Sequence, residues 1–340
     1  MSLVRKKARD ALTELVPKAR SLLGLALSLV ALGLAVRDVA FSEVTKALAR
    51  ANYGLIMLAF LAAMAATGAT VLRWRLLLQP HPAKTTRLFS VFMIAHVLNV
   101  VLPAKLGTVA RVYLAGEAEN ISKAFVLGSI AVEKVLDSLI IVLLGVIIVP
   151  FVLLPEWLWQ SGLGTGVLFL ALFLLMILAG RHRHRVINWS ESLWTRLPFD
   201  PHFDLNQQLG LVLDSFAVLS RPDIRWSLWG WSVVTWGAGI LANQLTMMAM
   251  DIRLPLVAVV FLLVVLQIGT KLPSSPGNIG IFHYLVILSL SMFSVEKGLA
   301  LSCGLVLHAV VVLLPSLFGA FYLWRESYSL AEVGLPLVER

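Results

Sequence analysis

The sequence predicts an all-α, polytopic integral membrane protein. It reads as an inverted repeat of two halves, each with about three spanning helices and one broken, re-entrant helical hairpin. Three observations predict this. Apolar residues make up 59% of the 340 and charged residues only 14%, with a mean hydropathy of +0.87; several windows are apolar for long enough to cross a bilayer. Two apolar segments, 170 residues apart, are interrupted in the same way. Basic residues also concentrate in alternate connections, as the positive-inside rule demands.

The chain opens with a basic, amphipathic segment, 1–20, containing Arg5, Lys6, Lys7, Arg9, Lys18 and Arg20. It has no apolar core before Arg20, so a cleavable signal peptide is not expected. Spans follow by apolar length at 21–36, 53–72 and 124–149, then at 165–180, 226–249 and 299–324. The first repeat is taken as 21–150, with its broken hairpin at 88–123. The second is 165–324, with its hairpin at 255–294. A tail, 325–340, closes the chain.

Loop charge sets the orientation. The connection 73–87 carries Arg73, Arg75, Lys84 and Arg87, and 181–225 carries six arginines, whereas 150–164 has no Lys or Arg. Both termini, 73–87 and 181–225 are therefore expected in the cytoplasm and 150–164 outside. The connection 37–52, with Arg37, Lys46 and Arg50, falls outside and fits this scheme least well. Parity then makes 88–123 cross an even number of times. Its second limb, from Thr108 to Ser122, is too polar to face lipid, so a hairpin that enters and returns fits better. The limbs of 255–294 are more apolar, and a full pair of crossings stays open there. Residues 203–220 read as an amphipathic cytoplasmic helix.

The interruptions carry the chemistry. The first runs from Val97 through Asn99, Pro103, Lys105 and Gly107 to Arg111. The second runs from Gln267 through Lys271, Pro273, Ser274, Ser275, Pro276, Gly277 and Asn278 to Gly280. Breakers and polar groups at membrane depth are tolerated only where protein or a wet cavity covers them. Matched breaks in two halves point to a transporter binding site. A third Leu-Pro with a following Gly, Leu314-Pro315 to Gly319, has no flanking charge and is expected only to kink a span.

Lys105 and Arg111 bracket Gly107, and a helix starting there would aim free N–H groups at an anion. A phosphate suits that mixture; snorkelling of both cations to the interface is the alternative. Glu133 and Asp137 lie four apart on one helix face, roughly 13–20 Å deep, with Lys134 about 100° round the helix. They either take part in transport, by gating or proton coupling, or form a buried ion-pair cluster with Arg111 that positions the hairpin. His283 follows the second tip. It could titrate there, or stay neutral and bonded to backbone. Asn243 and Gln244 are expected to bond across helices. Trp157, Trp159, Trp226, Trp229 and Trp324 read as an interfacial belt. The tract Arg181 to Arg185, with two histidines, resembles a metal site but stands where a cytoplasmic anchor belongs. Cys303 has no internal disulfide partner.

These residues also resemble a known family. Asn99, Pro103, Gly107 and Arg111, then Glu133 and Asp137, then Pro273-x-x-Pro276-Gly277-x-x-Gly280-x-Phe282 are similar to the lysylphosphatidylglycerol synthase/flippase transmembrane family. The resemblance extends over nearly the whole chain, including Arg73-Trp74. It implies a lipid flippase or transporter, in a family that includes the flippase half of the multiple-peptide-resistance factors and stand-alone envelope proteins. Nothing here resembles the aminoacyl-transferring domain, so synthase activity is not expected. The family often has Arg at the positions of Lys105 and Lys134, an acid at Thr108 and Glu at His283. With acidic character lost at the last two, an anionic phospholipid, glycolipid phosphate or polyprenyl phosphate is expected rather than a cationic lipid.

The expected substrate contacts are Asn99, Lys105, Gly107, Arg111, Lys134, Ser274, Ser275, Gly277 and Asn278, with Glu133, Asp137 and His283 as coupling or gating groups. No cofactor, metal or nucleic acid is expected, and no catalytic residue. The admitted partners are lipids with phosphate headgroups, a further copy of the chain and envelope-lipid biosynthetic enzymes, in the inner cell membrane. The alternatives are an intramembrane enzyme acting on lipid phosphates, or a scaffold for a cell-envelope glycosyltransferase.

Overall fold

The computed structural model describes residues 24–37, 39–102, 106–152, 156–194, 205–271 and 274–326. Every regular element among them is helical. In order these are α1 (Gly24–Val36), α2 (Phe41–Arg50), α3 (Tyr53–Leu77), α4 (Thr85–Val101), α5 (Gly107–Glu119), α6 (Lys123–Ile148) and α7 (Glu156–Arg181). Then come α8 (Arg183–Trp194), α9 (Leu205–Ala217), α10 (Pro222–Ala249), α11 (Leu256–Gly269), α12 (Ile281–Ser291), α13 (Lys297–His308) and α14 (Leu314–Arg325).

Four helical stretches are long and apolar enough to cross a membrane: Tyr53–Leu77, Lys123–Phe151, Gly164–Arg181 and Lys297–Arg325. A fifth forms if α1 and α2, bent by 82° at their junction, count as one broken span. The expected span at 226–249 is helical throughout as α10 but is not among these four. Four tryptophans with Asn243 and Gln244 lower its hydropathy. The connection 37–52 is not a loop. Residues 41–50 form α2, strongly amphipathic, with Val44 buried and Phe41 exposed. Its charged positions recur at helical spacing, which a tally of loop charges overlooks.

The two expected interruptions are present as broken helices. Their limbs α4, α5, α11 and α12 hold 17, 13, 14 and 11 residues. At 1.5 Å per residue these reach only about 26, 20, 21 and 17 Å, against about 30 Å of hydrocarbon. The expected kink at Leu314-Pro315 takes another form. A π-helical segment, Ala309–Leu313, sits directly before α14, whose first turn contains Pro315. Proline has no N–H to close the preceding turn, and a wider turn at that point accommodates the loss.

The chain forms two compact units, and each draws on both sequence halves. The first comprises residues to 63, 93–108 and 239–326. Its core joins Ala35, Val44, Ala59, Met247, Leu262, Phe282, Leu290, Cys303, Leu307 and Val310. The second comprises 64–92 and 109–238. Here α6 packs on α7 and α9, and the amphipathic helix expected at 203–220 appears as α9. Gly128 of α6 lies against Ser215 of α9, an approach of small residues that suits helices in lipid.

Candidate functional site

In the second unit, two arginines on different helices meet two carboxylates on one face of α6. Glu133 is 1% exposed, and Arg111 of α5 donates to both its oxygens at 2.9 and 2.6 Å. Asp137, one turn on, accepts from Arg73 of α3 at 2.6 Å. The i, i+4 spacing places the acids on one face, and that face is turned inward. The Arg111 guanidinium lies 3.8 Å from the centroid of the Trp74 ring and 4.7 Å from that of Phe92. Trp74 in turn donates through Nε1 to Ser129 at 3.1 Å. Arg73 also donates to Ser232 at 3.1 Å. The Nε atoms of both arginines are buried without a partner.

Arg73 corrects the sequence reading, which placed it in a cytoplasmic loop. α3 runs on to Leu77, and Arg73 is fully buried inside it. A hydropathy reading ends a span at its first arginine. The carboxylate of Asp137 is what allows this one to stay in the helix. Arg111 and Lys134 already match the two acids in number, so charge counting gives no signal for Arg73.

Lys134 differs from its neighbours. Between Lys123 and Leu143, only Leu127 and Lys134 of α6 are exposed, seven residues apart on one stripe. The Lys134 side chain is 61% exposed, and Nζ stands 3.7 Å from a Glu133 oxygen that Arg111 already holds. It lies eleven residues into a helix long and apolar enough to cross a membrane, about 16 Å from its start, farther than the roughly 6 Å a lysine side chain spans. Three cations against two carboxylates leave one positive charge in excess, and it is carried by the exposed group.

In the first unit, the two breaks come together. Gly107 begins α5 so close to α4 that a Cβ on it would overlap the Ala95 carbonyl and Asn99. Only glycine permits that approach. The Asn99 Oδ1 is buried there without a partner. On the far side, Val100 of α4 lies beside Gly277 of the second tip. That tip is a short 3-10 turn, Pro276–Asn278, fastened by its own polar groups. Ser274 donates to the Asn278 side chain at 2.6 Å, and Ser275 Oγ to the Ile279 carbonyl at 2.8 Å. The Ser275 N–H donates to Ser28 of α1 at 2.7 Å. His308, which the sequence reading passed over, approaches the Gly277 carbonyl with Nε2 at 2.8 Å. His283 is 5% exposed, and its Nδ1 has no partner; the expected backbone bond is not made by that atom. Lys105, Pro103 and Pro273 lie outside the described residues.

Two further polar features differ from expectation or stand apart. Asn243 does not bond across helices through Nδ2, which is buried without a partner. A cavity of about 1140 Å³ is lined by Lys46, Arg50 and Arg253 together with Glu43, Asp251 and Glu296. Its cations and carboxylates balance, so it offers an anion no net attraction.

Comparison with known proteins identifies a family. The family model described as the lysylphosphatidylglycerol synthase TM region matches residues 21–319. No curated protein and no solved structure gives a significant match. With the match spanning both broken helices and the buried Arg–carboxylate pairs, the chain belongs to the lysylphosphatidylglycerol synthase transmembrane-region family, a membrane domain linked to lipid handling.

Proposed function

We propose that the protein is a flippase that moves lipids with an anionic phosphate headgroup across the inner cell membrane. The substrate class is an anionic phospholipid, a glycolipid phosphate or a polyprenyl phosphate. The observation that carries this reading is Lys134. An exposed ammonium at mid-helix, with its one carboxylate neighbour already taken by Arg111, calls for a mobile anion. A phosphate whose acyl tails remain in lipid can approach that stripe of α6 without leaving the bilayer. In this proposal Lys134 of the second unit meets the phosphate, and Arg111 acts by holding Glu133 in place. Asn99, Gly107 and the tip residues Ser274, Ser275, Gly277 and Asn278 are the polar groups that the first unit offers a headgroup.

Transport is favoured over chemistry on the lipid. Glu133 and Asp137 are each bound by an arginine, which leaves neither free as a general acid or base. The test uses the purified chain in phosphatidylcholine vesicles with a fluorescent phosphatidylglycerol probe. Wild-type protein should move the probe between leaflets and leave it chemically unchanged. Lys134→Ala should slow that movement at least tenfold, with Lys134→Arg largely active because charge at the stripe is what matters. A converted probe would favour an enzyme, and an undiminished rate in the alanine variant would remove Lys134 from the path.

The proposal includes cytoplasmic termini and a substrate handed over by envelope-lipid biosynthetic enzymes. A cysteine at Glu156, in a Cys303→Ser background, should react with an impermeant maleimide added outside intact cells. Reaction only after the cytoplasmic face is opened would invert the orientation.

A further inference from the structure

Three of the seven histidines lie on apolar helices of the first unit. His283 and His308 are 5% and 4% exposed, with ring centroids 5.0 Å apart. Phe282 sets its ring edge-on to both, 5.9 Å from His283 and 5.0 Å from His308. His308 Nε2 must carry hydrogen, because its partner, the Gly277 carbonyl at 2.8 Å, can only accept. In the neutral ring this leaves Nδ1 of His308 as the free lone pair. The His283 Nδ1 is buried and unpartnered beside it. His96 of α4 makes a similar contact at 3.3 Å with the Val312 carbonyl, within the π-helical segment that begins directly after His308.

The ionisable groups on the elements packed around the pair are His96 on the first-unit part of α4, Tyr284 on α12, Lys297 and Cys303 on α13, Glu43, Lys46 and Arg50 on α2, Tyr322 and Arg325 on α14, and Lys271 at the end of α11; α1 has none. The nearest carboxylates along these elements are Glu43 of α2 and Glu296. Glu43 meets α13 at Gly298, ten residues and about 15 Å from His308. A proton added to the pair therefore makes an imidazolium with no carboxylate beside it among the described residues. A bound anion would supply its counter-charge. The carbonyl that His308 holds belongs to the tip, whose polar groups are proposed to meet the headgroup.

We propose that His283 and His308 form a proton-binding site, occupied together with an anionic lipid phosphate at the tip of the second broken helix. The inference rests on the lipid-transport reading and names its coupling ion. Each ligand supplies the charge that the other lacks. By linkage, a bound phosphate raises the affinity for the proton, and a bound proton raises that for the phosphate by the same factor. One proton enters on a ring Nδ1 and leaves from the same atom on the other side, so proton and lipid travel in the same direction.

The test uses the full chain in phosphatidylcholine vesicles holding fluorescent phosphatidylglycerol as the probe, with a pH gradient of one unit imposed. Coupling of one proton per lipid should shift the probe's final distribution towards the alkaline leaflet, by up to about tenfold. His283→Gln and His308→Gln should abolish the shift, leaving whatever probe moves evenly distributed. His283→Phe, which preserves ring packing against Phe282, should behave likewise and guards against a folding defect in the glutamine variants. Probe movement in wild type with a distribution indifferent to the gradient would overturn the inference while leaving lipid transport intact. So would a shift that survives in all three variants. A wild-type protein that moves no probe at all would overturn the transport reading itself, and this inference with it.

Discussion

Glu133→Gln is expected to destabilise the protein by about 3–5 kcal/mol, because it leaves the Arg111 guanidinium buried and without a counter-charge. The amide keeps the shape of the carboxylate, so packing is not the cause. Arg111 already has an unpartnered Nε, and the Trp74 and Phe92 rings around it offer only their faces. Asp137→Asn should cost less. Its side chain is 21% exposed against 1% for Glu133, and Arg73 keeps a second bond to Ser232. Removing both partners together, as Glu133→Gln with Arg111→Met, should recover much of the loss, since the penalty lies in the unpaired charge. Unfolding in detergent, by heat or denaturant, reads all four proteins. A loss under about 1 kcal/mol for Glu133→Gln would mean that water reaches the pair and screens it. A variant that kept its stability but lost its response to a pH gradient would make Glu133 a proton carrier instead.

Gly280→Ala should be the most damaging single methyl in the first unit. Gly280 has φ +90 and ψ −67, outside the regions that residues with a Cβ adopt. A Cβ there would also overlap the Ser28 carbonyl of α1. Backbone strain of about 1–3 kcal/mol combines with an overpacking cost of about 1–3 kcal/mol. Any relief requires α1 to move away, which breaks the bond between Ser28 and the Ser275 N–H. Gly277→Ala is the control. Its φ is +67, in the ordinary left-handed region, and its nearest neighbour would stand 3.5 Å away, so about 1–2 kcal/mol is expected. Unfolding and probe transport should both rank Gly280→Ala as the worse. Equal effects would mean that α1 yields without cost.

The sequence shows the breaks plainly because breakers act locally. Pro103, Gly107, Pro276, Gly277 and Gly280 each disturb the few residues around them, and a matched pair in two halves stands out against apolar background. The pairing of Glu133 with Arg111 was legible for a related reason: acids at depth need a cation, and the returning limb supplied one. Arg73 was hidden by the rule that found the spans, since an arginine at the end of an apolar run reads as loop. His308 was hidden by the opposite fault. One polar residue barely lowers the hydropathy of a long apolar stretch, so a span was seen and its content overlooked. A search for every ionisable residue inside a span, asking each for its partner, would have found His308; Arg73 required the same search carried one turn past the span's end. Burial of the individual side chains was not legible, because three-dimensional packing decides which face of α6 turns inward. That is why Lys134 and Glu133, adjacent in sequence, differ so widely in exposure.

The excess positive charge on α6 has an electrical consequence. In the proposed cycle, a phosphate of charge −1 seated on Lys134 makes that part of the protein neutral in the hydrocarbon. Without the histidine proton this complex is neutral and crosses the field without work; with that proton aboard the loaded step carries one positive charge, as the empty one does. The empty step carries the uncompensated ammonium, and each 100 mV that this charge traverses is worth about 2.3 kcal/mol. A potential that is negative inside would draw the empty site towards the cytoplasm, where newly made lipids are loaded. The resting polarity of the cell would then act as a return spring for the carrier.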